Sequence, residues 1–376
     1  MPTRATKRGA QRTPLDASPD VVVCGASFAG LAVARELTGS GANVLLLDRY
    51  EIGERATSAC AAPTAWLEGL GLDAAVQQTF GELVVHAADG RTFRWPLPFT
   101  FSTFDYRTLC AELHAQGDAT FETATVTGRT GDTVHTDRGD VRAPLVVDAL
   151  GWRRILGGGL VQPPAARLSR GLEVHPRASG EDLELWLDPR YARAGYAWAF
   201  PAAGELRAGV GSFEPRDHVK EPTLRLAGDV GVPAERFQGN WIPHQLRPAV
   251  EDGVFFVGDS AGHCLPTTAE GIRPALHFGL ALGRELRAVV VGQRTREDAL
   301  TRYAAFSASH ARAYGGLLRV QGLVGRVNPT PLMPHVLRAM TNRRFLRFGF
   351  GHYRDICPPE AATPAPVAGA TRVAAA

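Results

Sequence analysis

Three residues near the N-terminus have the types and the spacing needed to hold a dinucleotide. Gly25 and Gly30 bound the segment Gly25-Ala26-Ser27-Phe28-Ala29-Gly30, and Asp48 follows the first glycine by 23 positions. Glycine permits a tight turn, and a helix that begins there presents free N–H groups and positive dipole to a pyrophosphate. A carboxylate at Asp48 can accept hydrogen bonds from ribose hydroxyls. The pattern therefore predicts a dinucleotide-binding site.

The surrounding sequence supplies the strand, helix and strand that such a site requires. Val21–Val23 is a short β-branched run typical of a buried strand, and apolar residues at helical spacing follow from Leu31 to Leu37. Val44–Leu47 is a second apolar run, which closes on Asp48. Ser27 stands where the fingerprint usually has its middle glycine, so the backbone there must tolerate a small side chain. A plain buried β–α–β unit is the alternative.

Two later apolar runs also end in aspartate and glycine. One ends in Val147-Asp148-Ala149-Leu150-Gly151 and the other in Val257-Gly258-Asp259. The loop after Asp259 extends to Gly271, and residues 272 to about 291 are predicted as a helix. Ligands of open parallel sheets bind at the carboxyl ends of the strands. We therefore expect the three segments to converge on one cofactor.

The composition excludes several classes of protein. Of the 376 residues, 45% are hydrophobic and 21% are charged, and a net charge of +3 gives no reason to expect nucleic acid. Five widely spaced cysteines without a C-x-x-C pair predict reduced thiols, with neither disulfides nor a metal site. The N-terminus has no apolar core of a signal peptide, and no run of about 18 apolar residues is present. These features predict a cytoplasmic protein.

The stretch Val257–Ile272, which contains Gly258-Asp259, resembles the GD motif of FAD enzymes with the p-hydroxybenzoate-hydroxylase fold. In that family the Asp binds the ribityl chain, and the helix near the later Gly directs its N-terminus at the flavin pyrimidine, where reduced flavin is negative. Val147–Gly151 resembles the family's DG motif, with Ala149 where Gly is usual, and Arg107 matches an arginine that begins an FAD-contacting helix. The resemblance spans residues 20 to about 290 and implies FAD. It implies as cofactor-binding residues Gly25, Ser27, Phe28, Ala29, Gly30, Asp48, Arg49, Arg107, Asp148, Gly151, Gly258, Asp259, Pro266, Glu270, Gly271 and Ile272.

A second sheet is predicted outside these segments. Leu83–His86 and Thr92–Trp95 flank the turn Asp89-Gly90, and residues 171–213 alternate as antiparallel strands do. The predicted fold is α/β: an FAD-binding Rossmann-like domain, an inserted antiparallel-sheet substrate domain and C-terminal helices. The expected parts are a disordered tail (1–18), the discontinuous FAD-binding domain (19–82, 104–165 and 240–292), the substrate-binding sheet (83–103 and 166–239), the C-terminal helical region (293–357) and a second disordered tail (358–376).

A narrower resemblance lies within that sheet. Tyr196-Ala197-Trp198-Ala199-Phe200-Pro201 resembles the Y-x-W-x-F-P signature of geranylgeranyl reductases, and Glu270-Gly271-Ile272 resembles part of their G-E-G-I. Cys60 falls near the place where archaeal members carry a cysteine beside the flavin. These enzymes use FAD, reduced by NAD(P)H or another donor, to saturate isoprenoid double bonds. The resemblance implies that flavin N5 gives a hydride to an alkene carbon, with Cys60, Tyr196 and Trp198 as the catalytic candidates.

Other interpretations stay open. An O₂-dependent monooxygenase acting on an aromatic or polyketide-like substrate shares the fold, and a flavin-binding redox sensor would perform no alkene chemistry. Flavin-dependent halogenases also share it, but they need a lysine ammonium between flavin and substrate, and this chain has no lysine between Gly30 and Tyr196. We therefore expect no halogenation. Cys60, Tyr196 and Trp198 could also be ordinary core residues.

The sequence leaves open which molecule reduces the flavin and whether the protein rests on a membrane. The sequence has no second glycine fingerprint, so either NAD(P)H docks transiently over the flavin or another donor reduces it. The expected partner is a small isoprenoid or lipid molecule. The C-terminal region either has a solvated basic face or rests on a membrane surface, which would suit a lipid substrate. The arginines concerned are Arg319, Arg326, Arg338, Arg343, Arg344 and Arg347.

Overall fold

Strands and helices occur throughout the part of the chain that the computed structural model describes, which is residues 13–15, 17–56, 58–158, 168–327 and 333–366. The strands are β1 (Val21–Cys24), β2 (Val44–Asp48), β3 (Ala61–Pro63), β4 (Val76–Ala87), β5 (Thr92–Phe104), β6 (Thr120–Thr123), β7 (Val126–Thr130), β8 (Thr133–Thr136), β9 (Gly139–Arg142), β10 (Leu145–Asp148), β11 (Leu168–Val174), β12 (Leu183–Leu187), β13 (Gly195–Ala202), β14 (Glu205–Ser212), β15 (Gln238–Pro243), β16 (Val250–Glu251) and β17 (Val254–Phe256). The helices are α1 (Phe28–Glu36), α2 (Thr64–Gly69), α3 (Tyr106–Ala115), α4 (Lys220–Asp229), α5 (Ile272–Val290), α6 (Arg296–Ser309), α7 (Ala311–Val327), α8 (Met333–Ala339) and α9 (Arg343–Ile356).

The first sheet has six strands in the order β16–β17–β10–β1–β2–β6. The strands from β17 to β6 are parallel, and β16 pairs antiparallel with β17 at one edge. All four residues of β1 are fully buried, as expected for a central parallel strand covered on both faces. The carboxyl ends of β1, β2, β10 and β17 therefore lie along one edge, as the sequence predicted.

The second sheet has eight strands in the order β15–β11–β14–β13–β12–β4–β5–β3. Ala197 and Ala199 of β13 pack with α4 in a separate apolar core on one face. The sequence predicted an antiparallel sheet, but β12 and β4 are parallel. They come from two distant stretches of the chain, so no hairpin joins them and pairing in the same direction is allowed.

The second sheet also takes residues that the sequence pattern assigned to the nucleotide-binding part. β3 and the first half of β4, before residue 83, pair with β5, and β15 extends to Pro243. A three-stranded antiparallel sheet of β7, β8 and β9 lies apart from both. The division into these domains stays a prediction. Strand residues within 61–63, 76–82 and 240–243, which the prediction assigned to the FAD-binding domain, pair in the second sheet instead.

Both predicted tails have ordered portions. Leu15 is buried and Ala17 bridges Val141 of β9, so the expected disorder is wrong for residues 13–15 and 17. At the other end Ala362 is buried, and the Thr363 carbonyl accepts a hydrogen bond from the buried Arg35. The apolar and backbone contacts that order these short segments are long-range and have no local signature. Residues 1–12, 16 and 367–376 of the predicted tails lie outside the described residues.

Helix α5 brings the C-terminal region to the first sheet. A Cβ placed on Gly279 would lie 2.7 Å from the Ala29 carbonyl oxygen, so α5 crosses α1 in close contact at these small residues. Helices α6 to α9 follow, and the predicted break near Asn328 and Pro331 lies outside the described residues. None of the helices in the described chain is long and apolar enough to cross a membrane.

Candidate functional site

The loop after β1 and the start of α1 form an open anion-binding geometry. Gly25 has φ +114°, and a Cβ there would lie 2.2 Å from the Ala149 carbonyl oxygen, so only glycine fits. Ser27 is the N-cap of α1 but makes no capping hydrogen bond with its side chain. Its hydroxyl instead accepts one from the Tyr106 phenol at 3.0 Å. The first-turn amides, including those of Phe28 and Ala29, are therefore left for a ligand.

Gly30 allows the start of α1 to pack closely against β1 and the loop that follows it, as its place in the fingerprint predicts. A Cβ there would lie 1.8 Å from the Gly25 carbonyl oxygen and 3.3 Å from a methyl group of Val23. A side chain at Gly30 would thus displace the loop itself before it met a pyrophosphate. A Gly30 variant consequently reports on folding and cannot isolate cofactor binding.

Asp48 braces the same loop from the end of β2. One carboxylate oxygen accepts a hydrogen bond from the Ala26 amide at 2.8 Å and the other accepts one from the Tyr50 amide at 3.0 Å. Burial raises the pKa of Asp48, and these amides oppose the shift. Each oxygen keeps a further lone pair that can accept a ribose hydroxyl. The neighbouring Arg49 lies over the Tyr50 ring, 4.9 Å from its centre.

Asp148 holds the end of β10 instead of presenting a free carboxylate. Its oxygens accept hydrogen bonds from the Leu150 amide, the Leu156 amide and the Ser260 hydroxyl, at 2.9, 2.8 and 2.6 Å. Gly151 has φ +86° and open space where a Cβ would stand. A cofactor contact in this segment is therefore assigned more readily to the backbone near Gly151 than to the Asp148 side chain.

Asp259 is the carboxylate of the GD segment. Gly258 has φ +65° and packs against Ala29, which places Asp259 beside the start of α1. Burial raises the pKa of Asp259 to about 6, although Arg247 opposes the shift. Across the described part of the chain no group donates a hydrogen bond to this carboxylate. A half-buried carboxylate without donors among the described residues fits a ligand that brings hydroxyl groups, as a ribityl chain does.

The loop from Pro266 to Gly271 leads into α5. Thr267 and Ala269 have positive φ angles of 69° and 53°, and such strain is often retained at ligand sites. Gly271 is the N-cap of α5 and offers no side-chain cap, so the amides that begin with Ile272 are open to a ligand.

Glu270 and Arg107, two of the predicted cofactor-binding residues, make different contacts. Glu270 pairs with the buried Arg273 at 3.0 Å, and Arg273 stacks on Tyr353, so this predicted cofactor residue anchors α9. The exposed Arg107 lies in the first turn of α3, next to Gly53, and its guanidinium has no partner among the described residues.

The aromatic residues of β13 face this loop. Tyr196 donates a hydrogen bond to the Thr268 carbonyl, which joins the second sheet to the loop that follows Asp259. Trp198 lies flat against β14, where a Cβ on Gly209 would stand 2.4 Å from the indole ring. Ala197 and Ala199 point to the opposite face, toward α4. The structure therefore brings Tyr196 and Trp198 to the side of the sheet that meets the nucleotide-binding loops.

Cys60 is close to this wall but inaccessible. It is 1% exposed, and burial raises the pKa of its thiol, which donates a hydrogen bond to the Ser58 carbonyl at 3.1 Å. Its backbone is strained, with φ +53°. The structure thus presents a neutral buried thiol, and a catalytic role for Cys60 stays a prediction.

Sequence reasoning missed four charged residues behind Cys60 and Trp198. Arg207 donates hydrogen bonds to the carbonyls of Ala59, Cys60 and Phe104. Trp198 donates one to Glu173, at 3.1 Å. The sequence signal that could have revealed them is a pair of charged residues at alternate positions in each of two otherwise apolar strand patterns. The pairs are Glu173 with His175 and Glu205 with Arg207.

Comparisons with known proteins agree with this architecture. The family described as "Lycopene cyclase protein" matches residues 20–190. A digeranylgeranylglycerophospholipid reductase from Methanococcus vannielii is 28% identical over 118 residues, which cover 29% of this chain and 30% of that enzyme, so the match spans less than a third of its length. A second protein of that name from Methanopyrus kandleri is 27% identical over 325 residues, covering 76% and 81% of the two chains.

Solved structures show the same fold at low sequence identity. A geranylgeranyl bacteriochlorophyll reductase-like protein from Thermoplasma acidophilum has a TM-score of 0.78 and 16% identity, over 92% of this chain and 98% of that chain. A probable FAD-dependent monooxygenase from Pseudomonas aeruginosa has a TM-score of 0.60 and 20% identity, over 89% and 100%. The predicted fold class is confirmed: the chain has the fold of geranylgeranyl reductase-like FAD enzymes.

Proposed function

We propose that this protein is an FAD-dependent oxidoreductase that reduces carbon–carbon double bonds of an isoprenoid lipid. The observation that carries the proposal is the contact between Tyr196 and the Thr268 carbonyl. Through it the aromatic wall of β13 closes on the loop that carries Asp259, so substrate and flavin would share one site. The names of the relatives, which are reductases of a digeranylgeranyl lipid, support the choice of substrate class.

The proposed cofactor contacts follow from the groups left open. The α1 amides near Phe28 would hold the pyrophosphate, Asp48 the ribose and Asp259 the ribityl chain. The N-terminus of α5 at Ile272 would stabilise negative charge on the pyrimidine ring. Bound FAD supplies a two-electron hydride donor. We further propose that NAD(P)H or another small donor docks transiently to reduce it, since the sequence has one glycine fingerprint.

The reductase can be distinguished from a monooxygenase by the fate of its reducing equivalents. We expect the reduced protein, mixed without oxygen with digeranylgeranylglycerophospholipid, to recover oxidised-flavin absorbance and to give a product heavier by two hydrogens per double bond. The monooxygenase is the second candidate because a probable enzyme of that class shares the fold. Oxygen uptake that depends on substrate, with a product heavier by one oxygen, would contradict the reductase. A flavin that no alkene reoxidises would contradict both enzymes.

We also propose that the C-terminal helices contact an anionic membrane surface. Phe345 and Phe348 of α9 are 58% and 68% exposed. Residues 299–354 contain nine arginines and no Asp or Glu, so this region complements anionic lipid headgroups. Helix α9 thus has exposed Phe345 and Phe348 beside the exposed Arg343, Arg344 and Arg347, the combination of apolar anchors and positive charge that interfacial helices use.

Vesicle binding tests this contact. We expect the protein to sediment with phosphatidylglycerol vesicles, and less with phosphatidylcholine vesicles, because the arginines add electrostatic attraction. Phe345→Ser combined with Phe348→Ser should reduce sedimentation, whereas Phe237→Ser, at an exposed phenylalanine elsewhere, should not. Equal binding by the double variant would show that α9 does not make the contact.

A further inference from the structure

A series of titratable side chains leads from solvent to the aromatic face of the second sheet. Glu205, whose side chain is 24% exposed, accepts from Nδ1 of His175 at 3.1 Å. The other ring nitrogen, Nε2, lies 3.0 Å from Oε1 of Glu173, and Oε2 of Glu173 accepts from the indole N–H of Trp198 at 3.1 Å. The Nε2 contact is not aligned as a hydrogen bond, so a small rotation must precede proton transfer.

The strand register places Glu173 on the substrate side of the sheet. Glu173 pairs with Gly209, and Gly209 pairs with Trp198, so the three residues form one row across β11, β14 and β13. Residues directly paired across strands point to the same face. Glu173 therefore lies on the face of Trp198, opposite the face covered by α4. Its side chain is 5% exposed.

The charges in this cluster keep a proton on His175. Burial opposes the imidazolium, but the carboxylates of Glu173 and Glu205 outweigh it and raise the pKa of His175 to about 9. Burial likewise opposes ionisation of Glu205, yet His175 and Arg207 lower its pKa to about 2. Arg236 also pairs with Glu205, and the Cys60 loop contacts Arg207 and Gln238. His175 is thus an imidazolium between two carboxylates at neutral pH.

Stability alone is a weak reason for such a cluster. Burying a salt bridge costs several kcal/mol of desolvation per ion, and apolar residues of similar volume often stabilise a protein as well. The substrate face beside Trp198 also needs an acid, because alkene reduction consumes a proton as well as a hydride. We propose that Glu205, His175 and Glu173 form a proton-transfer chain that supplies this proton to the substrate face beside Trp198. The inference rests on the proposed alkene reduction.

The proton step balances as follows. Nε2 of His175 first gives its proton to the carboxylate of Glu173. One alkene carbon then accepts a hydride, which carries both electrons from the reduced flavin, and the neighbouring carbon accepts the proton from the carboxyl of Glu173, which becomes a carboxylate again. The imidazole of His175 then takes up a proton that enters from water past Glu205. The alkene is reduced by two electrons and the flavin is oxidised by two, with no further reactant.

Tyr196 is the rival proton donor on this face. Its hydroxyl donates to the Thr268 carbonyl, and burial raises its pKa. A tyrosine source would give a rate that does not change near pH 9, since its proton stays bound there. A source at His175 gives a rate that falls as pH rises through about 9, the pKa at which the imidazolium is lost. The pH profile therefore separates the two donors.

The test is stopped-flow reoxidation of the reduced protein by digeranylgeranylglycerophospholipid without oxygen, from about pH 6 to about pH 10. We expect Glu173→Gln, which keeps an acceptor for Trp198, to lower the rate about 10²- to 10⁴-fold. Glu205→Gln should move the alkaline break down by about one to three pH units, because a carboxylate beside His175 is lost. Glu184→Gln is the matched control, since Glu184 forms a 3.0 Å pair with His86 elsewhere on the same sheet.

A second measurement needs no activity. NMR titration of the His175 ring, assigned with His175→Gln, should give a pKa near 9 that falls in Glu173→Gln and Glu205→Gln. Wild-type rates and an unchanged alkaline break in both variants would overturn the chain while leaving the reductase intact. A His175 pKa near its ordinary 6.5 would also overturn it. Failure of the wild-type protein to reduce the lipid would overturn the proposed function together with this inference.

Discussion

Asp259→Asn is expected to weaken FAD binding and, at the same time, to make the apoprotein more stable at neutral pH. The loss of charge-assisted hydrogen bonds from ribityl hydroxyls, worth about 1.5–3 kcal/mol, should lower FAD affinity about 10- to 100-fold. No group in the described part of the chain donates to the Asp259 carboxylate, and burial raises its pKa to about 6. An amide at this position removes the cost of burying that charge.

The pH dependence fixes the sign of the stability effect. The folded pKa of about 6 lies above the ordinary 3.8, so ionisation favours the unfolded chain. The free energy of unfolding of the apoprotein should fall as pH rises from about 4 to about 6, by about 3 kcal/mol at full ionisation. Asp259→Asn should lack this fall. Denaturant unfolding at several pH values, with FAD titration by fluorescence quenching, measures both effects.

Asp252→Asn is the matched control for this substitution. Asp252 is 79% exposed, and asparagine tolerates its positive φ. It should change neither FAD affinity nor the pH dependence of unfolding. If Asp259→Asn binds FAD as tightly as wild type, the carboxylate does not contact the cofactor and the assignment of the GD segment is wrong.

The strand ends that form the site could be predicted because their signals are local. Gly25, Asp48 and Gly258 each follow an apolar strand pattern at once, so the sequence gives both the turn chemistry and its position in the sheet. The start of α5 at Ile272 was likewise readable from Gly271. Local pattern and global fold agree at these points, which is typical of foldable sequences.

The partners of the buried charges could not be predicted. Arg207 meets Cys60 across 147 positions of sequence, and Glu173 meets Trp198 across 25, contacts that depend on strand order and register. The row of Glu173, Gly209 and Trp198 depends on the pairing of β11 with β14, which are not consecutive strands, so no hairpin turn fixes their register. The sequence also could not tell that Asp148 accepts three hydrogen bonds while Asp259 accepts none from the described residues.

Arg207→Met is expected to destabilise the protein by about 3–5 kcal/mol and to expose Cys60, because it removes one partner of a buried network. Arg207 donates to the Cys60 and Phe104 carbonyls and pairs with Glu205 at 3.0 Å. Methionine has similar bulk but no donor, so these acceptors would be buried without partners. The strained backbone of Cys60, with φ +53°, would then lose a contact that holds it.

Thiol labelling shows whether the loop has opened. All five cysteines are buried, so native wild-type protein should react slowly with a thiol reagent, whereas Arg207→Met should be modified at Cys60, as located by peptide mass spectrometry. Arg91→Met is the control: the side chains of Arg91 and its partner Asp89 are 46% and 40% exposed, so the substitution should change the free energy of unfolding by less than about 0.5 kcal/mol. If Arg207→Met matches wild type in denaturant unfolding and Cys60 stays protected, the charged cluster does not hold this loop. If Arg207→Met is labelled at Cys60 and still binds FAD, the α1 and GD segments are intact. The opening is then confined to the loop around Cys60.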